Sequence, residues 1–88
     1  MNKSGKGKAL RRTETLGAGD VQRTLGQRIR QIRAQKGSSQ RDMAEACGLS
    51  PAALQQIEYG NANPSLATLI RLSKGLKTTI HKLLQGIA

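Results

Sequence analysis

The sequence predicts an all-α domain of five helices preceded by a disordered basic arm, and three observations carry that expectation. Apolar residues recur at helical spacing in short blocks. The blocks open on Ser or Thr and mostly close on Gly, as capped helices do. No stretch alternates apolar and polar residues as a half-buried strand would. Residues 1–20, by contrast, hold five Lys/Arg and four of the ten glycines and show no hydrophobic period. A segment of that composition cannot bury enough apolar surface to offset its ordering entropy. The arm is expected over residues 1–20 and the folded domain over residues 21–88.

The helices follow in order. Leu25, Ile29 and Ile32 stand at i, i+4 and i+7, and Gly37 sits where a left-handed C-cap belongs, so helix 1 is expected over about 21–36. Ser39 followed by Asp42 is a shortened capping box. Met43, Ala44 and Cys47 then supply a buried stripe that Gly48 ends, which gives helix 2 over 40–47. Ser50 before Pro51 is an N-cap followed by the helical position that prefers proline. Leu54 and Ile57 form the core face up to Gly60, so helix 3 is expected over 51–59. After the turn Asn61-Ala62-Asn63-Pro64, Ser65 can cap a fourth helix whose core face is assigned to Leu66, Leu69, Ile70, Leu72 and Leu76. Thr78 or Thr79 can cap a last short helix with Ile80, Leu83 and Leu84.

Composition narrows the function. The chain has 88 residues, fifteen Lys/Arg against five Asp/Glu, and a formal charge of +10. A single core of this size leaves little room for a catalytic cleft with its own supporting shell, and no nucleophile–base–orienter set can be assembled, so no enzyme is expected. With no Phe, no Trp and one Tyr, there is no platform for stacking single-stranded bases. The lone Cys47 forms no internal disulfide and falls in the core stripe of helix 2. No Cys/His cluster surrounds the single His81, so neither a metal nor a cofactor is expected. No apolar run is long enough for a signal peptide or a membrane span, which points to a cytoplasmic protein. The excess positive charge calls for a polyanionic partner.

The informative segment is Gln40–Gly60. Two short helices joined by a glycine-containing turn form a helix-turn-helix unit, whose second helix can enter the major groove. Ala44 is small where the two helices cross, Gly48 permits the turn, and Leu54 and Ile57 anchor helix 3. At about 100° per residue those anchors leave Ala52, Gln55, Gln56 and Tyr59 on the opposite face. Gln can bond adenine N6 and N7, and Ala can touch a thymine methyl, so this face suits A·T pairs; the bland alternative is a solvated helix surface. Pro51 either touches a base or only starts the helix. Gln40 opens helix 2, where free N–H groups favour a phosphate. Arg41, Asn61, Asn63 and either Arg23 or Arg28 are further phosphate candidates.

These stretches, LGQRIRQIRAQKG from Leu25, then SQ, MAEACGLSPAALQQIEYG and NPSLATLIRL, resemble the Xre/Cro, lambda-repressor-like family of helix-turn-helix DNA-binding domains over about two-thirds of the chain. The resemblance implies a compact five-helix domain that reads double-stranded operator DNA, usually as a homodimer on a two-fold site. It also implies that Gln40 bridges a phosphate and helix 3, and that Arg33 and Glu58, each off its core stripe, form an ion pair between helices 1 and 3 rather than two separate exposed charges. The chain departs from the family at Ser38, where an apolar residue is common, at Gly75 in place of Ala, and at Lys77-Thr78 in place of Gly-Val. These changes are expected to weaken helix ending and packing.

The resulting expectation is a prokaryotic or phage transcriptional regulator, a repressor or a controller protein. Self-association would use helix 5 through Ile80, Leu83, Leu84 and Ile87. The alternative is an antitoxin-like or other protein-interaction module with secondary DNA binding. A toxin would be the protein partner of that alternative, and RNA polymerase the partner of an activating regulator. For the basic arm, three readings stand open: a clamp on the duplex, a solvated tail, or an added segment.

Overall fold

The computed structural model describes residues 18–87, and among them the chain forms five α-helices and no strand. They are α1 (Ala18–Gln35), α2 (Gln40–Cys47), α3 (Pro51–Glu58), α4 (Leu66–Gly75) and α5 (Ile80–Leu84). The expected boundaries hold to within a residue except at the start of α1, which begins three residues before Val21 and takes Ala18–Asp20 from the segment assigned to the arm. Asp20 in the first turn complements the positive end of the helix dipole and pairs with Arg23 one turn on. The remaining arm residues, 1–17, lie outside the described residues.

Capping explains why helices this short have sharp ends. Ser39, Ser50, Ser65 and Thr79 each take extended φ/ψ, and each hydroxyl accepts the N–H three residues ahead. The C-terminal ends of α1 to α4 repeat one pattern. At Gly48, for example, the glycine N–H donates to Glu45 O and the next N–H, of Leu49, donates to Ala44 O. This is the Schellman arrangement, which needs a left-handed residue, and Gly48 supplies it with φ 69°.

Helix α4 closes in the same way, with Lys77 N–H on Lys74 O and Thr78 N–H on Ser73 O, but the left-handed position is held by Lys77 at φ 56°. A side chain there costs about 1 kcal/mol that glycine does not pay. Lys77→Gly is therefore expected to stabilise the domain by about 1 kcal/mol, raising the melting temperature by roughly 4–8 °C in a scanning calorimetry comparison.

The core is a single cluster of Leu25, Ile29, Met43, Ala44, Cys47, Leu54, Ile57, Leu72, Leu76, Leu83 and Ile87. Helix α1 packs on α3 and α5, α2 on α3 and α4, and α4 on α5, so every helix lends one face to it. Two of the closest crossings are made at glycines. A Cβ on Gly26 would stand 2.5 Å from Ile57 O and 2.6 Å from Glu58 O, so α1 can lie directly on the backbone of α3 only without a side chain there. A Cβ on Gly75 would run into the backbone and Sγ of Cys47. The glycine in place of alanine thus makes room for the larger Cys47 on α2 rather than loosening the core.

Two assignments to the core are corrected. Leu66 is 68% exposed and Ile70 39% exposed, because α4 turns the arc of Leu69, Leu72, Ser73 and Leu76 inward and leaves that pair outside it. Burial also raises the Cys47 thiol above its ordinary pKa, as suits a core thiol rather than a reactive thiolate.

Candidate nucleic-acid interface

Local chain chemistry sets which side of α3 faces out. Leu54, Ile57 and Glu58 are buried, whereas Pro51, Ala52, Gln56 and Tyr59 are exposed and Gln55 is half-buried. At about 100° per residue these five fall within one arc of about 140°, opposite the core. The arc carries no formal charge. It presents two carboxamides, a phenol, a methyl group and the proline ring that starts the helix. Gln55 Nε2 donates to Tyr59 Oη at 3.4 Å, a long contact that aligns the two side chains along the face.

A buried ionic network holds this helix in place. Glu58, 1% exposed, would be costly to bury alone. Arg33 of α1 meets it in a fork, Nε to Oε2 at 2.7 Å and Nη2 to Oε1 at 3.0 Å, the bidentate geometry that a planar guanidinium favours. The remaining arm of the fork, Nη1, donates to Ser38 O at 2.9 Å in the α1–α2 turn. Gln40 completes the set by donating Nε2 to Glu58 Oε1 at 2.9 Å. Bonding to the carboxylate, more than simple charge proximity, pushes the Arg33 guanidinium above its ordinary pKa against the opposing effect of burial. The network therefore ties α1, the turn and the first residue of α2 to the end of α3. Of the two expectations for Arg33 and Glu58, the ion pair is the one observed, and Gln40 does reach α3.

Gln40 and Arg41 occupy the first turn of α2, whose leading N–H groups have no carbonyl within the helix to bond. Arg41 is exposed beside it. Asn61 and Asn63 lie exposed on the loop that leaves α3, as Arg41 does on α2, whereas Gln40 is half-buried with its amide turned to Glu58. The two α1 arginines behave differently. Arg23 pairs with Asp20, and its stem lies against Gly60 just past α3. Arg28 points the other way, with its guanidinium on the carbonyls of Lys82, Leu83 and Gln85, which removes it from the phosphate candidates. Nothing local announces that contact, since its partners lie 54 to 57 residues away. Among the described residues no group of three or more His, Cys, Asp or Glu could hold a metal ion, and no helix is long and apolar enough to cross a membrane.

A small helical bundle that pins the second helix of a helix-turn-helix unit and leaves its polar face open defines a class of nucleic-acid-binding domain. The chain belongs to the helix-turn-helix family HTH_3, whose model matches residues 29–83. It is 38% identical over 63 residues to the HTH-type transcriptional regulator DdrOP3 of Deinococcus deserti, a match that covers 72% of this chain and 49% of that one. It is 36% identical over 70 residues to the control protein C.SmaI of Serratia marcescens, covering 77% of this chain and 83% of that one. Among solved structures, the restriction-modification controller protein C.AhdI of Aeromonas hydrophila superposes with a TM-score of 0.68 at 33% identity, covering 69% of this chain and 92% of that one. The chain thus spans about half the length of the regulator DdrOP3 and most of the length of the two controller proteins.

Proposed function

We propose that this protein is a sequence-specific, double-stranded DNA-binding transcriptional regulator that lays the outer face of α3 in the major groove. The observation that carries the reading is the uncharged arc of Pro51, Ala52, Gln55, Gln56 and Tyr59, held out from the bundle by the buried Arg33–Glu58–Gln40 network. Carboxamides there match the donor–acceptor pair on adenine, and Ala52 suits a thymine methyl. Gln40, Arg41, Asn61 and Asn63 flank the arc as phosphate contacts that fix register without reading sequence. The formal charge of +10 supplies salt-dependent affinity. Such a protein works where the genome is, in the cytoplasm of a prokaryotic cell.

One α3 touches only a few base pairs, too few to single out a site in a genome, so the protein acts as a homodimer on a two-fold operator. The self-association surface is the outer side of α5. Leu83 and Ile87, expected there from the sequence, are instead core residues, while Ile80 and Leu84 stay half-exposed around a hollow of about 310 Å³ with His81, Gln85 and Gly86.

The test is selection of bound duplexes from a random pool. The reading expects enrichment of one half-site repeated as an inverted pair at a spacing near one helical turn. Leu66 and Ile70, exposed one turn apart on α4, favour a protein partner as the second reading. A pool that shows no enrichment at any salt concentration would overturn the first reading.

A further inference from the structure

Helix α5 is too short to hold itself. A five-residue helix lies well below the length at which isolated helices persist in water, so its placement depends on what the rest of the domain supplies. Thr79 caps its start, and Leu83 and Ile87 dip into the core. Its C-terminal end lacks the Schellman closure seen at the other helices: the C-cap residue, Gln85, is extended at φ −58° and ψ 127°. Ile87 N–H closes a turn on Leu84 O at 2.9 Å, with Gly86 left-handed at φ 78°, but that turn leaves the Lys82, Leu83 and Gln85 carbonyls to other donors.

Arg28, on the middle of α1, is that donor. Its Nη1 reaches Lys82 O at 3.3 Å and Leu83 O at 3.1 Å, and it also bonds Gln85 O. Two hydrogens on one nitrogen are thus shared among three carbonyls, and a full positive charge sits at the negative end of the helix dipole. Among the described residues no other side chain bonds these carbonyls. The residues that Arg28 grips, Lys82, Leu83 and Gln85, flank the half-exposed Leu84, and Gln85 lines the hollow on the outer side of α5.

We infer that Arg28 is a positioning residue for self-association: it clamps the end of α5 so that Ile80, His81 and Leu84 form a fixed surface for a second copy of this chain. The inference rests on the homodimer reading given above. The clamp stores its effect in order rather than in contact, because Arg28 itself lies on the inner, α1 side of α5. Without it, Leu83 and Ile87 still hold α5 near the core. The last turn frays, and each association event must then re-order it.

Three proteins test this by sedimentation equilibrium at micromolar concentration and by amide hydrogen exchange: wild type, Arg28→Met, which keeps the stem and loses the donors, and Arg28→Lys, which keeps the charge. Wild type is expected to sediment at twice the monomer mass. Arg28→Met should weaken association at least tenfold and speed exchange at the Leu83, Leu84 and Ile87 amides, with α2 and α3 protection unchanged; Arg28→Lys should recover part of both. Should Arg28→Met fail to fold, Arg28→Leu, which also lacks the donors, enters the same assays under the same expectation. A variant that dimerises as tightly as wild type overturns the inference, as does weaker association with α5 protection intact. A wild type that stays monomeric instead overturns the homodimer reading beneath it.

Discussion

Replacing Arg33 with methionine is expected to cost about 3 to 5 kcal/mol of folding stability, far more than the loss of a surface pair, whose value is about 0 to 1 kcal/mol. The reason is the state of what is left behind. Glu58 is 1% exposed, so without the guanidinium its carboxylate would keep only the Gln40 amide as a side-chain partner. For a domain of this size such a loss is a large share of all the stability it has. Urea unfolding followed by circular dichroism measures it. The companion result separates a buried charge from a general packing defect. The double variant Arg33→Met with Glu58→Leu removes the stranded carboxylate, and it should recover most of what the single variant loses. Its α3 would then be held by apolar contacts alone, and Gln40 would be released. Affinity for DNA should therefore not recover in step with stability.

The second large effect is expected at Gly26, where the backbone of α1 lies against that of α3. In Gly26→Ala the new methyl group meets Ile57 O at 2.5 Å and Glu58 O at 2.6 Å. Neither is the tip of a flexible side chain, so the helices themselves must part. Overpacking of this kind costs about 1 to 3 kcal/mol, and a clash with two main-chain carbonyls belongs at the upper end of that range. The displaced element is α3, and the same shift pulls Glu58 from the Arg33 fork. Thermal melting should report the lost stability, while DNA binding, measured well below the lowered melting temperature, should fall even where the variant is fully folded. Ala44 already shows how tight these crossings are, being wholly buried between α2 and its neighbours.

Much of this was legible in the chain because short helices need explicit ends. Ser39, Ser50 and Ser65 with Gly48 and Gly60 mark α2, α3 and the start of α4, and the structure finds those hydroxyls on the N–H groups three residues ahead. The start of α1 was less legible because Gly17-Ala18-Gly19 has no apolar period to announce a helix. Its one polar mark is Asp20, which suits the positive end of the helix dipole and pairs with the exposed Arg23. Leu66 and Ile70 share helical spacing with the true core residues of α4, so periodicity admits either arc. Only packing against α2 and α5 chooses between them. The site divides along the same line. The outward arc of α3 follows from Leu54 and Ile57 by geometry alone. The Arg33–Glu58 pair, 25 residues apart, was visible as two charges off their stripes together with a family resemblance. Gln40 on Glu58 agrees with that resemblance, whereas the engagement of Arg28 with α5 had no signal in the sequence, because long-range pairing leaves no periodic trace.

The claim that the α3 face reads bases is tested most directly by comparing wild type with Gln56→Ala on two duplexes: one recovered by selection from the random pool, and one with the same composition scrambled. Fluorescence anisotropy at a single fixed salt concentration gives both affinities. Loss of one base-edge contact worth about 1 to 3 kcal/mol predicts a fall of roughly 5- to 150-fold on the selected duplex. Binding to the scrambled duplex, and its dependence on salt, should stay unchanged, since phosphate contacts and charge are untouched. An equal fall on both duplexes, or no fall on either, would contradict the account.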